Sequence, residues 1–215
     1  MFYSDIHYIN SVNTFNGVKM ERKQIQEQRI KNYFIQATKD LLKGEGLRTV
    51  SVRNIADRAG YSYATLYNYF KDVKDLVFEC VKDFQEECEE MIITETKDSP
   101  QGLGKIKAIT KSYIKYFVQY PGIFELFYTE KVTELQNKQQ TVEMINTFLD
   151  KLTNDEWNYC ITNSIVSMNE AMLKRSQLKY LVTGLLLLYI SRRHPLSYQD
   201  FMNDVESQLN SVLGS

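Results

Sequence analysis

The stretch Val52–Phe70, VRNIADRAGYSYATLYNYF, constrains this chain more than any other. Val52, Ile55, Ala56 and Ala59 recur at helical spacing, so a first short helix carries one apolar face. Ser51 stands just before it, where a hydroxyl caps free N–H groups. Gly60 stands just after it, where a left-handed residue ends a helix. Ser62 is a second N-cap, and Tyr63 to Phe70 reads as a second helix with Leu66 and Phe70 facing inward. Two short helices around a glycine turn match a helix-turn-helix, whose second helix enters the DNA major groove. Tyr63, Ala64, Thr65, Tyr67, Asn68 and Tyr69 leave that helix uncharged, small at its start and rich in hydroxyls. On these residues alone, a surface helix that happens to carry tyrosines is an equal reading.

The order of these residues adds to the argument. Ser51-Val52-Arg53-Asn54-Ile55-Ala56, then Ala59-Gly60-Tyr61-Ser62, then Ala64-Thr65-Leu66-Tyr67-Asn68-Tyr69-Phe70 resembles the DNA-binding domain of tetracycline-repressor-type (TetR-family) regulators. The resemblance runs from Arg29 to Val77. It departs from the family pattern at Ala64, where glycine is usual, and at Val73, where the family usually has a phosphate-contacting lysine that Lys71 or Lys74 would replace. The resemblance implies an all-α chain: a three-helix DNA-binding domain with a helix-turn-helix, plus a larger helical ligand-binding and dimerisation domain. It implies a repressor that binds a palindromic operator on double-stranded DNA as a homodimer. Carried over by position, Arg53, Tyr63, Ala64 and Thr65 face base edges, and Ser51, Tyr67, Tyr69 and Lys71 hold phosphates. The expected division is an extension over 1–19, a DNA-binding domain over 20–75 and a sensing and dimerisation domain over 76–215. Met20-Glu21-Arg22-Lys23 looks like a family start, so residues 1–19 read either as upstream sequence or as an N-terminal arm.

Charge agrees with the motif. From Lys19 to Asp75 twelve Lys/Arg face seven Asp/Glu, whereas from Leu76 onward fourteen face nineteen. A basic first third is an electrostatic footprint for phosphate, hidden within a net charge of -1. Only three prolines and nine glycines interrupt 215 residues that are 43% hydrophobic, which favours helices around a substantial core. Cys80, Cys88 and Cys160 form no CxxC or His/Cys cluster, so no metal and no cofactor is expected. Cys80 and Cys88 fall about 12 Å apart along one helix, too far to bridge. They read as packing residues in a reducing cytoplasm, the expected location. Leu181 to Ile190 is strongly apolar but too short to span a bilayer.

Periodicity places the remaining helices. Gln24–Lys43 carries Ile30, Phe34, Ala37 and Leu41 on one face. Asp72 and Asp75 open a fourth helix with the stripe Val77, Cys80, Val81, Phe84, Cys88 and Met91. Its acidic run Glu86, Glu87, Glu89 and Glu90 reads as a solvated face. Leu103–Tyr120 follows and Pro121 closes it. Val142–Leu152, Trp157–Met172 and Leu178–Arg192 read as separate helices, the last stopped by His194-Pro195. Ser197 and Asp200 cap a final helix with Phe201, Val205 and Leu209 inward.

Two features beyond the motif bear on function, each with two readings. Tyr113, Tyr116, Phe117, Tyr120, Phe124, Phe127, Tyr128 and Trp157 crowd large rings into a short span. They either line a pocket for a small apolar or aromatic ligand, with a lipophilic cation favoured by ring faces, or fill the core of a bundle. The helix Leu178–Arg192, with Leu181, Leu185, Leu188 and Arg192, either pairs two subunits across a close approach at Gly184 or lies buried within one. The two histidines, His7 and His194, stand apart from any nucleophile or carboxylate motif, and no Gly-rich phosphate loop occurs. A non-enzyme is therefore expected, with a helical interaction adaptor without ligand, and last an enzyme with no recognisable motif, as the alternative classes.

Overall fold

Local stop signals set the helix ends in the computed structural model, which describes residues 22–129 and 139–214. The expectations for residues 1–19, including His7, lie outside these. The described residues form nine α-helices and no strand: α1 Arg22–Gly44, α2 Val52–Ala59, α3 Tyr63–Tyr67, α4 Val73–Thr96, α5 Leu103–Gln119, α6 Pro121–Phe124, α7 Gln139–Thr162, α8 Met168–Ile190 and α9 Tyr198–Leu213. The caps act as their chemistry requires. The hydroxyls of Ser51 and Ser62 accept from the N–H groups of Asn54 and Thr65, and the Asp72 carboxylate accepts from Asp75. Helix α2 ends in a Schellman turn. Tyr61 N–H donates to Ala56 O at 3.0 Å and Gly60 N–H to Asp57 O at 3.3 Å, with Gly60 at φ 75°.

Several expected boundaries move. Helix α3 stops at Tyr67 rather than Phe70, because the chain turns at Asn68 and Tyr69 to bring Phe70 back under α1. Pro121 ends α5 but also starts α6 as its first residue, where its missing N–H costs nothing. The segment continues as a single π turn over Glu125–Thr129. The expected helix Trp157–Met172 is broken. Helix α7 runs on to Thr162 and ends in a Schellman turn, Ile165 N–H to Cys160 O at 2.8 Å, with Ser164 at φ 55°. A capping box of Ser167 and Glu170 then opens α8, which absorbs the expected helix Leu178–Arg192 as its second half. Helix α8 ends at Ile190 through the same device, Arg193 N–H to Leu188 O at 3.0 Å with Arg192 at φ 54°, so it stops before His194-Pro195. On α4, Met91 packs half-buried against the second core, and Ile92 beside it is buried as well.

Two cores share α4. Phe34, Ala37, Leu41, Ile55, Leu66, Phe70 and Leu76 form the first, which joins α1 to the helix-turn-helix. The second begins one residue later at Val77 and takes the inward faces of α4, α5, α7, α8 and α9. The expected division at 75/76 thus falls inside one continuous helix. Leu42, at the end of α1, belongs to the second core, so α1 is anchored in both. Cys80, Cys88 and Cys160 are buried free thiols. Burial first, then the Asp83 charge, pushes the Cys80 thiol up to about 12. Among the described residues no helix is long and apolar enough to cross a membrane, and no cluster of His, Cys, Asp or Glu could hold a metal ion.

Candidate nucleic-acid interface

Leu66, wholly buried, pins the five-residue α3 to the first core and turns its other residues outward. Tyr63 and Tyr67 are 67% and 53% exposed, and Ala64 between them is exposed as well. Thr65 is half-buried, and its hydroxyl shares a 2.9 Å hydrogen bond with that of Ser62, which ties it to the cap. Arg53 projects from the first turn of α2 with its side chain 90% exposed. Asp57, one turn on, stands 3.8 Å from its Nε, an exposed pair that leaves the guanidinium free to move to a base edge. Ser51 and Lys71 are exposed at the two ends of the motif. Tyr69 is half-buried, with its ring 6.3 Å from that of Phe34. Of the eight residues assigned to DNA, six are exposed, while Thr65 is tied to the cap and Tyr69 packs against Phe34.

Phe34 of α1 holds the assembly in place. Its ring contacts Tyr61 at 5.4 Å and Phe70 at 6.3 Å, so the turn and the end of the recognition segment both rest on one side chain. Asn54 donates its side-chain amide to Thr49 O at 2.7 Å and fixes the 3-10 turn Leu47–Thr49 against α2. Val73, where the family usually has lysine, is half-buried and packs against both cores. Two exposed cations, Lys71 and Lys74, flank it.

The surface is coupled to the rest of the chain through α1. Lys39 pairs with Asp83 at 3.0 Å and Glu87 at 2.9 Å on α4, and Lys43 also pairs with Glu87. Burial pulls the Glu87 carboxyl up, but hydrogen bonds from Lys43 and Lys39, with their charges, outweigh it and hold the group below its usual range. The Lys43 ammonium also stands 4.9 Å from the Tyr120 ring centroid. At α6, Gly122 lies against the end of α1 so closely that a Cβ there would be 2.7 Å from Gly46 Cα, and closer still to the Leu42 carbonyl oxygen. Periodicity passed over Gly122 and Arg48. Pro121-Gly122 is legible only as a turn signal, and Arg48 only as one of many basic residues.

The aromatic residues assigned to a ligand are largely packed on one another. Phe117 meets Tyr113 at 4.8 Å, Phe127 at 5.5 Å, Phe124 at 5.9 Å and Tyr128 at 6.0 Å, and Tyr116 meets Tyr120 at 5.2 Å. The hydroxyls of Tyr113 and Tyr128 are hydrogen-bonded, and burial pushes the Tyr128 phenol up to about 12. Trp157 is wholly buried on α7 with its indole N–H unpartnered. A cavity of about 660 Å³ lies elsewhere, between the start of α2, the first turns of α4 and the π turn. Of the residues assigned to a subunit contact, Leu181 and Leu185 are half-buried while Leu188 and Arg192 are exposed.

Comparison with known proteins agrees with this geometry. Residues 34–80 match the family model described as bacterial regulatory proteins, tetR family, which covers α1 from Phe34 through the helix-turn-helix to the start of α4. The fold is similar to that of a putative transcriptional regulator from Pseudomonas aeruginosa PAO1, at 18% identity over 92% of this chain and 94% of that one, with a TM-score of 0.65. It is also similar to a putative TetR-family transcriptional regulator from Mesorhizobium loti MAFF303099 (16% identity, 87% and 96% covered, TM-score 0.64). A third is a TetR family transcription regulator from Marinobacter aquaeolei VT8 (16% identity, 90% and 97% covered, TM-score 0.57). At these identities the likeness establishes the fold. No curated protein matches at a significant level. The matched segment and its capped helix-turn-helix mark residues 34–80 as a DNA-binding domain of the tetR type, carried on a chain whose fold is shared with TetR-family regulators.

Proposed function

We propose that the chain is a ligand-responsive repressor that binds a palindromic operator as a homodimer in the cytoplasm, and acts by occupancy rather than catalysis. One observation carries the reading. The exposed recognition surface is fixed to α1, and α1 is tied to the larger domain by the Lys39 and Lys43 ion pairs and by the backbone contact at Gly122. A shift of α4 or α6 therefore moves the recognition helix. One such unit spans only a few base pairs, so two are needed for a specific site, one helical turn apart.

The subunit contact is assigned to α8, backed by α9. Leu173, Tyr180, Leu187 and Leu188 are exposed on α8, and a Cβ at Gly184 would meet nothing within 4 Å. This apolar helix face, with a gap for close approach, suits self-pairing better than solvent. Ligand release of DNA then requires tighter binding to the DNA-incompetent spacing, with a coupling of about 1–3 kcal/mol.

The test is footprinting of the purified full-length protein on genomic DNA, paired with sedimentation. Protection of two symmetric half-sites by a dimer is expected. Sequence-independent binding alone would overturn the operator reading, and a monomer at the operator would overturn the dimer.

A further inference from the structure

We infer that the cavity at the junction of the two cores is an effector site for an amphiphilic carboxylate, whose occupancy displaces the helix-turn-helix. The inference rests on the regulator reading and names the ligand class and its place.

The cavity has the size and chemistry of a small-molecule site. Its volume of about 660 Å³ falls inside the usual range of about 300–1,000 Å³. Val50 and Val52 from the DNA-binding side, Val73, Val77 and Phe78 from α4, and Leu126 from the π turn give it apolar walls. Val50, Val52 and Val73 are only half-buried, so this concave apolar surface meets water. A hydrocarbon body placed there removes it from water at about 25 cal/mol per Å².

The rim selects the head group. Among the described residues that line it, Arg48, Lys74 and Glu125 carry charge. Arg48 is exposed and makes no ion pair with any described residue. A guanidinium receives a carboxylate through two parallel hydrogen bonds, which an alcohol or an ammonium does not match. A monoanion is attracted to that guanidinium, whereas a cation is repelled by it.

The position supplies the coupling. Ser51 and Val52 line the cavity and are also the N-cap and first residue of α2, so a guest touches the helix-turn-helix itself. On the other side Gly122 holds Gly46, the residue directly before Leu47 and Arg48 of the cavity wall. A body wedged between Val52 and Leu126 therefore turns the motif about a point already fixed by backbone contact. No change has to travel through the packed rings of Tyr113, Phe117 and Phe124.

The test compares three probes with one hydrocarbon body: decanoate, decanol and decyltrimethylammonium, each below its micellar concentration. Binding to the full-length protein is read by calorimetry, and operator affinity by anisotropy with and without each probe. Decanoate should bind at least about tenfold tighter than the other two and weaken operator binding at least about fivefold. Arg48→Ala, a surface change, should erase the preference for decanoate, and Val73→Trp should block all three by filling the rim. Equal binding of the three probes, or decanoate binding untouched by both variants, overturns the inference. Operator binding without decanoate binding overturns it too and leaves the regulator reading standing. Decanoate binding that depends on Arg48, in a protein with no operator, supports the site and overturns the regulator reading.

Discussion

Replacing Gly122 with alanine tests the contact on which the coupling argument turns. Gly122 is the second residue of α6 and does not hold the left-handed conformation that glycine alone favours, so alanine suits its backbone and should gain about 1 kcal/mol in helix propensity. Any loss must come from contact. The added Cβ would stand 2.7 Å from Gly46 Cα, against about 3.5–4.0 Å for carbons at ordinary separation. Both neighbours, Gly46 Cα and the Leu42 carbonyl, are backbone, so no rotamer change relieves the clash. Helices α1 and α6 must part by about 1 Å. Overpacking of this kind costs about 1–3 kcal/mol, at its upper end where backbone meets backbone, which leaves a net loss of about 1–2 kcal/mol after the propensity gain. The assay is urea unfolding at fixed protein concentration, because dimerisation would otherwise shift the midpoint. Gly44→Ala is the control: it lies in the last turn of α1, a Cβ there meets nothing within 4 Å, and it should be neutral or slightly stabilising. A Gly122→Ala protein at least as stable as its parent would refute the contact, and with it the fulcrum at α6.

Three further outcomes follow from the same geometry. Arg53→Ala should cost about 1–3 kcal/mol of operator binding and relax preference at one base pair; anisotropy across single-base operator variants reads this, and an unchanged preference refutes base contact. Leu187→Glu combined with Leu188→Glu, both exposed on α8, should yield a folded monomer in ultracentrifugation, whereas an unchanged dimer mass moves the contact elsewhere. Hydrogen bonds from Lys107 and then Lys111 hold the Glu206 carboxyl at about 2, below its ordinary 4.5, so the folded chain favours the ionised form. Its contribution to stability is complete above about pH 4.5 and is lost as pH falls toward 2. The stability gap between parent and Glu206→Gln should close over that window in unfolding measured by circular dichroism.

What the sequence determined by itself is what acts over a few residues. Ser51, Ser62, Asp72 and Ser197 cap N–H groups three positions away, and Gly60 ends α2 through its own conformation, so these ends were legible residue by residue. The helix-turn-helix was legible for the same reason. The Ser167–Glu170 capping box was equally local but passed unread, because apolar residues on both sides of it let one period run from Trp157 to Met172. Helix α8 marks where local reading ends. A run such as Leu185-Leu186-Leu187-Leu188 is apolar all round and has no face of its own. Leu186 is buried and Leu187 and Leu188 are exposed only because of what α5 and α9 place beside them. The rings of α5 and α6 pack on one another for a related reason: composition counts large side chains, but whether they enclose space depends on helix spacing. The junction cavity was beyond the sequence altogether. Arg48, Val73 and Leu126 share its wall because Gly122 lets two backbones touch, and an approach between segments some eighty residues apart leaves no periodic trace in either.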